Sequence, residues 1–347
     1  MIKELKRRVL AIVLIFTICI GLFLPIKVQA NDTTEKIPIN AKTEETSINN
    51  TVEERIAVDD PDNGIYYISN IMETDKIRLY GTFPDTQFFL TTDLNFSSTE
   101  IAPLCDNFKG TFDGCGHTIT FNIDENTGAF ANNQYLGLFS TCTDATIKNL
   151  YINANISLTT GGSFFNPSAY VGGIAGTSTN SIVENVHVSG NINILTDNDN
   201  SPWVGGLIGE ATNTNISLSS NEATIVAEAN SYIGIVRAGG LCGEFSGTIE
   251  NCYNKGDVKA TASIDTPYAG GLVGINAGTI TKSYNSGKVQ SAGPSTSMSD
   301  IYAGGIVAKG ENGSSVTDCA VMSPEISVAT GWINTGYKYI IANGGDK

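Results

Sequence analysis

The segment "YAGGLVGINAGTITKSYNSGKV" (residues 268–289) decides the fold of this chain. Glycine, serine, threonine and asparagine make up half of it, a poor composition for a conventional hydrophobic core. Similar segments recur at steps of 36, 33, 34, 31 and 34 residues, and such a period is typical of solenoids, arrays and propellers. The glycine that precedes Leu or Ile marks each recurrence and falls at Gly137, Gly173, Gly206, Gly240, Gly271 and Gly305.

A second signature follows each glycine core, as in "GTIENCYNKGDV" (residues 247–258). The repeats are rich in Gly, Val, Ile, Thr and Asn and lack a 3.6-residue apolar pattern, which excludes helical repeats. A propeller blade needs four strands in about 40 to 45 residues, whereas these units show three short strand-like pieces. The sequence therefore predicts an all-β fold, a right-handed parallel β-helix with about 34 residues per coil.

Stacked coils lie ~4.8 Å apart, so each position lies over the same position of the next coil. Two apolar positions three residues apart, such as Ile249 and Cys252, cannot face one side of a flat strand, so a bend between them is predicted. The repeat glycines suit tight corners or crowded backbones. Asparagine recurs at the bend, and a second column follows it: Asn149, Asn185 and Asn251, then Tyr151, His187, Ser220, Tyr253, Tyr284 and Ala320.

These cores resemble the GLUG repeat, a family named for Gly-Leu-any-Gly. The segments "GLIG" at 206, "GLCG" at 240 and "GLVG" at 271 match it directly, while "GIAG" at 173, "GIVA" at 305 and "GLFS" at 137 depart from it. The resemblance covers about residues 85–325 and implies an exported bacterial protein. Some members are zinc peptidases that cleave immunoglobulin A, but the His-Glu-x-x-His motif of such enzymes is absent here.

The first 30 residues carry basic residues, a long apolar run and small residues at positions 28 and 30, and they predict a signal peptide cleaved after Ala30. A membrane anchor is the alternative, although the apolar run is short for a span. Residues 31–55 read as a flexible polar tether, and residues 56–130 as an N-terminal cap with the first coils. The apolar residues of segment 63–81 have near-helical spacing, which makes this segment the candidate cover. Residues 131–347 contain the six repeats.

The chain without the signal has 15 basic and 34 acidic residues, a formal charge of −19. Such a surface repels phosphate backbones and disfavours nucleic-acid binding. Six cysteines remain at irregular spacings, and we expect mostly free, buried thiols. We further expect secretion or display at the cell surface, a monomer, no cofactor, no metal and no membrane span after cleavage.

Catalysis has two weak candidates. Glu184 and Glu250 share a column two coils apart, roughly 9.6 Å along the axis, near the upper limit for inverting glycosidases. Asp113 and His117 in "FDGCGHT" form a second conceivable acid–base pair, but Asp-Gly is a common turn. A structural role is the simpler interpretation of both pairs, because a catalytic site needs several convergent groups.

Binding is the preferred hypothesis, because solenoids present extended surfaces and their loops carry binding differences. The predicted ligand site is an exposed aromatic strip that stacks on sugars, formed by Phe164, Phe165, Tyr170, Trp203 and Tyr302. The competing interpretation is that these residues only cover coil corners. The prediction is a non-enzymatic adhesion, display or ligand-binding module for an extracellular glycan or protein. The alternatives are a polysaccharide lyase or glycosidase, and a passive spacer.

Overall fold

The computed structural model describes nine stretches of the chain, and the following account concerns these residues. The stretches are 58–101, 103–124, 135–160, 168–196, 201–230, 234–293, 299–311, 313–330 and 335–340. The predicted signal peptide and tether lie outside them, as do Phe164 and Phe165. The predicted boundaries at residues 30, 55 and 130 therefore stay predictions.

Strands account for most of the described chain, and the helices are confined to its N-terminal part. Two 3₁₀ turns span Pro61–Asn63 and Ile71–Thr74, and one helix, α1, spans Asp75–Tyr80. Twenty-four strands form one continuous sheet that wraps the solenoid: β1 Ile65–Ile68, β2 Gln87–Leu90, β3 Leu94–Glu100, β4 Asn107–Phe108, β5 Thr111–Asp113, β6 Thr118–Asp124, β8 Phe139–Thr143, β9 Thr146–Thr160, β11 Ala175–Thr179, β12 Ile182–Thr196, β14 Ile208–Ser217, β15 Ser220–Asn221, β16 Thr224–Ala229, β18 Cys242–Glu250, β19 Tyr253–Asn254, β20 Val258–Ala262, β22 Val273–Asn276, β23 Thr279–Thr281, β24 Tyr284–Asn285, β25 Val289–Ala292, β27 Val307–Gly310, β28 Ser315–Thr317, β29 Ala320–Val321 and β30 Ile326–Ala329.

A second sheet of seven strands closes another side of each coil. Its strands are β7 Tyr135–Leu136, β10 Ala169–Val171, β13 Pro202–Gly205, β17 Val236–Gly239, β21 Pro267–Gly270, β26 Ile301–Gly304 and β31 Gly336–Tyr339.

The strands pair in parallel with the same segment of the next coil. β9 pairs with β12, for example, and places Ile147 beside Val183 and Tyr151 beside His187. Paired strands lie about 33 residues apart and form a β-solenoid of about six turns. The predicted parallel solenoid is confirmed, while its right-handedness stays a prediction from the general rule for parallel crossovers.

The core consists of apolar columns that run along the solenoid. Its first coils hold large rings, and Phe108 and Phe139 stack there with centroids 4.5 Å apart. Later coils fill the interior mainly with Ile, Val, Leu, Ala and Cys. Close packing of these side chains, together with the ladders of backbone hydrogen bonds, defines one register for every coil.

The predicted bend is confirmed. Asn149, Asn185 and Asn251 have φ angles of 50°, 55° and 53°, the left-handed region that Asn adopts more readily than most residues. The amides also stack, because Asn185 Nδ2 donates to Asn149 Oδ1 over 3.0 Å and Asn149 Nδ2 donates to Asp113 Oδ1 over 3.1 Å. Leu218 and Lys282 hold the same conformation in their coils without an amide.

Crowding, not a positive φ angle, explains the repeat glycines. A Cβ atom on Gly240 would collide with the carbonyl oxygen of Gly271 in the next coil and with the side chain of Asn254. A Cβ atom on Gly206 or Gly271 would likewise collide with a glycine carbonyl oxygen of the next coil and with an asparagine side chain. The motif glycine is therefore required where one backbone crosses closely over another.

The near-helical pattern of residues 63–81 corresponds to mixed structure. Ile65 and Ile68 belong to β1, which pairs in parallel with β2 and forms the first rung of the solenoid. Only the later part is helical, in the turn Ile71–Thr74 and in α1. The helical interpretation was wrong for β1, because a four-residue run with apolar residues three apart fits a strand and a helical turn equally well.

Candidate functional site

One outward column on the seven-stranded sheet contains two predicted ligand residues side by side. Tyr170 pairs in register with Trp203, and their rings stack with centroids 4.6 Å apart. Tyr302 lies further along the same column. The column, called here the Trp203 column, consists of Tyr135, Tyr170, Trp203, Arg237, Tyr268, Tyr302 and Tyr337.

The faces of these predicted rings are already covered. Tyr302 stacks between Tyr268 and Tyr337, at 4.9 Å from each. Trp203 stacks on Tyr170, and the Arg237 guanidinium lies 4.4 Å from the Trp203 ring centroid. All are half-buried and lie against other rings, so ring edges rather than faces are left for a ligand. Binding on this column stays a prediction, and its geometry favours packing.

Arg237 interrupts the stack of rings in the Trp203 column, and two carboxylates, Glu210 and Glu244, interact with it. Arg237 Nε is 2.8 Å from Glu244 Oε2, and Trp203 Nε1 donates to the same oxygen over 3.0 Å. Burial and the neighbouring Glu244 charge raise the pKa of Glu210. The Arg237–Glu244 ion pair joins the cluster, but Arg237 Nη1 is buried without a hydrogen-bond partner, so the guanidinium is only partly paired.

A second outward column borders a concave groove. This column, called the His187 column, contains Thr118, Tyr151, His187, Ser220, Tyr253, Tyr284 and Ala320. The Tyr151 and His187 rings lie 5.0 Å apart, and the Tyr253 and Tyr284 rings 5.1 Å apart. Ser220 separates the two ring pairs.

The groove on this flank, called the His187 groove, has a volume of about 450 Å³. Its walls carry the rings of Tyr151, His187 and Tyr253, and Ile152 and Val188 line it at strand positions whose side chains are buried in the core. Its polar lining consists of Thr118, Thr120, Asn153, Ser189, Ser220 and Glu222. Aromatic surfaces with a few hydroxyl, amide and carboxylate groups are typical of a small-molecule site.

A directional hydrogen-bond chain fixes the His187 ring. Nε2 lies 3.2 Å from Asn185 Oδ1, an acceptor, so Nε2 carries the proton, and Nδ1 then accepts from Ser220 Oγ over 2.8 Å. Burial is the main cause that lowers the pKa of His187, with an opposing effect of Glu222 and a smaller lowering effect of Lys255. The ring is therefore neutral at pH 7 and rigidly held.

The order Ser220–His187–Asn185 resembles the triad of an acyl-transfer enzyme. The Ser220 side chain is only 1% exposed, however, so a substrate carbonyl does not reach Oγ without displacing neighbouring side chains. Coil register also explains the contact, because stacked residues one rung apart meet in any solenoid. The arrangement positions the His187 ring and does not by itself indicate catalysis.

The carboxylates predicted from sequence do not form a site. Glu184 and Glu250 do share a column, each paired with Ser217 between them. Glu184 is exposed, and Glu250 forms an ion pair with Lys282 at 2.6 Å. Solvated and paired carboxylates of this kind lack the environment of a general acid.

Asp113 and His117 have different partners from each other. His117 Nδ1 lies 3.2 Å from Asp93 Oδ1, while Asp113 is buried and contacts Lys148 and Asn149. Asp113 also accepts from the backbone N–H of Cys115, as an Asx turn does. The structural interpretation therefore fits both residues.

The described stretches contain no group of three or more His, Cys, Asp or Glu residues placed to hold a metal ion. Within the same stretches, no helix has the length and apolar character that a bilayer crossing requires. Five cysteines are free thiols, and four of them are buried: Cys105, Cys142, Cys242 and Cys252, with Cys319 partly exposed. Burial raises the pKa of Cys252 to about 12, so this thiol is unreactive at neutral pH.

The family described as "The GLUG motif" matches at residues 167–193 and 265–290. The chain contains GLUG repeats. Each matched stretch runs from a strand of the seven-stranded sheet through the glycine core to the bend and the His187 column. The matched stretches thus contribute to both outward columns, and the motif glycine of the second stretch, Gly271, lies against the buried Asn285.

A solved structure from Bacteroides ovatus, described as a "putative immunoglobulin A1 protease", is similar to the GLUG-repeat chain at 16% identity. The similarity covers 79% of this chain and 73% of that one, with a TM-score of 0.43. The comparison with curated proteins gave no match.

The His187 groove was missed in the sequence. The column itself was predicted, but the groove beside it was not, because a concave surface leaves no pattern in the sequence. The available signal was Ser220, a small residue in a column that otherwise carries rings on both sides.

Proposed function

We propose that this GLUG-repeat protein is an exported binding module that holds an uncharged extracellular glycan in the His187 groove. Export rests on the predicted signal peptide. The observation that carries the binding proposal is the groove itself, which places accessible ring surface beside polar groups on one rigid flank. The module is non-enzymatic in this proposal.

A sugar matches both kinds of lining. Its C–H faces pack on rings such as Tyr151, which is 47% exposed, and its hydroxyls pair with groups such as Asn153 and Ser189. The groove extends over five rungs, roughly 19 Å at ~4.8 Å per rung, which is long enough for an oligosaccharide.

Charge favours an uncharged glycan over an acidic one. Glu222 is the carboxylate in the groove, and its charge is balanced by Lys255, 2.7 Å away. The chain without the predicted signal has a formal charge of −19. Acidic polysaccharides would meet long-range repulsion without a cationic cluster in the groove to offset it.

An array of neutral and acidic glycans probed with residues 31–347 tests the proposal. We expect binding to neutral glycans, and at least tenfold weaker binding by Tyr151→Ala, which removes ring surface from the groove. The matched control is Tyr302→Ala, which removes the same side chain from the Trp203 column and should leave binding unchanged.

Each alternative result contradicts the proposal. Loss of binding only in Tyr302→Ala would locate the site on the Trp203 column. Binding restricted to acidic glycans, or to proteins on a parallel protein array, would overturn the ligand class.

A further inference from the structure

The sheet face beside the His187 groove carries very little charge. β6, β9 and β12 pair in parallel along this face, in register with one another. Their segments 118–124, 151–160 and 187–196 contain one charged residue, Asp124, although 16% of the residues in the chain are charged. His187, in the last segment, has a lowered pKa and is neutral at pH 7. The face is therefore almost uncharged in a strongly acidic protein.

The uncharged area ends at the next strands of the same sheet. Glu228 on β16 and Lys259 on β20 form an ion pair at 2.7 Å, and Glu222 pairs with Lys255 over the same distance. Charged outward residues of this kind are the ordinary composition of a solvated surface. The uncharged area is thus confined to the strands that carry Tyr151 and His187, at the exposed end of the groove.

Beyond the groove, this area presents short polar side chains at alternate positions of the three strands. Asn155 Nδ2 donates to Asn122 Oδ1 over 3.2 Å, and Asn191 Nδ2 donates to Asn155 Oδ1 over 3.3 Å. This surface, called the Asn155 face, has Asp124 and Leu195 at its border and consists of Asn122, Asn155, Ser157, Thr159, Asn191 and Asn193.

The amides of the Asn155 face form a regular row of hydrogen-bonding groups. Each carboxamide has two donor hydrogens and an oxygen with two lone pairs, so one bond to the next coil leaves capacity for a ligand hydroxyl. Rungs ~4.8 Å apart repeat these groups at a constant spacing. Parallel ladders on both sides of β9 hold the row in place, so a ligand pays little for ordering it.

We propose that the Asn155 face docks on the surface of an insoluble, uncharged polysaccharide, one chain of which lies in the His187 groove. The inference rests on the proposed function and names the physical form of the ligand. Neighbouring chains of the same polysaccharide contact the face. The groove and the face are continuous, because Asn153 of the groove lies two residues before Asn155 on β9.

The side chains of the Asn155 face favour this partner over a protein, a nucleic acid or a membrane. Protein interfaces are anchored by aromatic residues, Met and Arg, and the face contains none of these residue types. It also has no Lys or Arg for an anionic partner. Packed sugar chains present uncharged rows of hydroxyl groups, and a chain held in the groove brings its neighbours to the face at high effective concentration.

Binding to insoluble cellulose, chitin and mannan, compared with the soluble oligosaccharide of each sugar, tests the inference. We expect the wild type to bind the preferred insoluble polymer at least tenfold more tightly than its soluble oligosaccharide. Asn191→Glu should abolish this gain, because docking would bury an unpaired carboxylate. It should leave binding of the soluble oligosaccharide unchanged, because Asn191 lies outside the groove lining.

The matched control is Asn215→Glu, which places the same charge at an exposed position of β14 and should bind the polymer as the wild type does. Asn193→Glu, at a second exposed position of the face, repeats the test if Asn191→Glu fails to fold. Equal wild-type affinity for polymer and oligosaccharide, or undiminished polymer binding by the folded variant, would overturn the role of the face, although the groove can still be the site. Absence of any neutral-glycan binding by the wild type would instead refute the proposed function.

Discussion

Asn254 donates a hydrogen bond from Nδ2 to Oδ1 of Asn285 in the next coil, over 2.8 Å, with both side chains fully buried. Asn221 donates in the same way to Asn254. Each amide also bonds the backbone of its own coil, as Asn254 does with Gly256. This internal amide ladder lies directly against the motif glycines Gly206, Gly240 and Gly271 and links the glycine core of these three coils to their second signature.

Asn254→Ala should destabilise the solenoid by about 2–4 kcal/mol, because it leaves buried groups of Asn221, Asn285 and Gly256 without a partner. Urea unfolding followed by circular dichroism measures this loss. Asn230→Ala, at an exposed position, serves as control and should change stability by less than about 0.5 kcal/mol. Equal stability of the two variants would show that the ladder is dispensable.

Gly240→Ala should cost about 2–3 kcal/mol, since the added methyl group meets the Gly271 carbonyl and the Asn254 side chain. Ala320→Val adds carbon atoms on an exposed strand position and should be nearly neutral. The same unfolding experiment compares them. A Gly240→Ala protein as stable as the wild type would refute the crowding explanation of the motif.

The pKa of His187 should lie below its ordinary value of about 6.5, since burial disfavours the charged ring. A folded-state pKa that is lowered means that the unfolded chain binds the proton first as the pH falls. The contribution of His187 to the free energy of unfolding is therefore complete above pH 6.5 and decreases as the pH falls toward the folded-state pKa.

Proton NMR of the two histidines in the chain measures this value directly, with His187→Gln to assign the signals. Glu210 has a raised pKa, and its contribution to stability has the opposite dependence on pH, so the difference between wild type and His187→Gln isolates the histidine. A His187 signal that titrates above pH 6.5 would contradict the burial argument.

Glycan cleavage should be absent. We expect no new reducing ends or unsaturated products from neutral or acidic polysaccharides incubated with the protein, because the proposed module only binds its ligand. Products that disappear in Glu184→Gln or Glu250→Gln would instead establish the enzyme alternative.

Much of the fold could be predicted because, in a solenoid, residues that are neighbours in adjacent coils are separated by one repeat in the sequence. The steps between glycine cores gave the coil length, and the three-residue spacing of Ile249 and Cys252 implied the bend that Asn251 makes. Local composition could not distinguish β1 from a helical turn, because its role follows from pairing with β2, a partner 22 residues away.

The candidate site was harder to predict. Sequence identified aromatic residues near coil corners. It did not show that Tyr170 and Trp203 would cover each other's faces, or that Tyr302 would stack between two other tyrosines. Whether a ring is available depends on what occupies the next coil, and a small residue in a stacked column matters only once the register is known. Ser220 illustrates this, since its own sequence context resembles that of any other repeat.

A crystal structure of the protein soaked with the neutral glycan that binds best tests the central claim most directly. We predict density for the glycan in the His187 groove, packed against the exposed Tyr151 ring. Ordered glycan beside Trp203 and Tyr302, with an empty His187 groove, would contradict it.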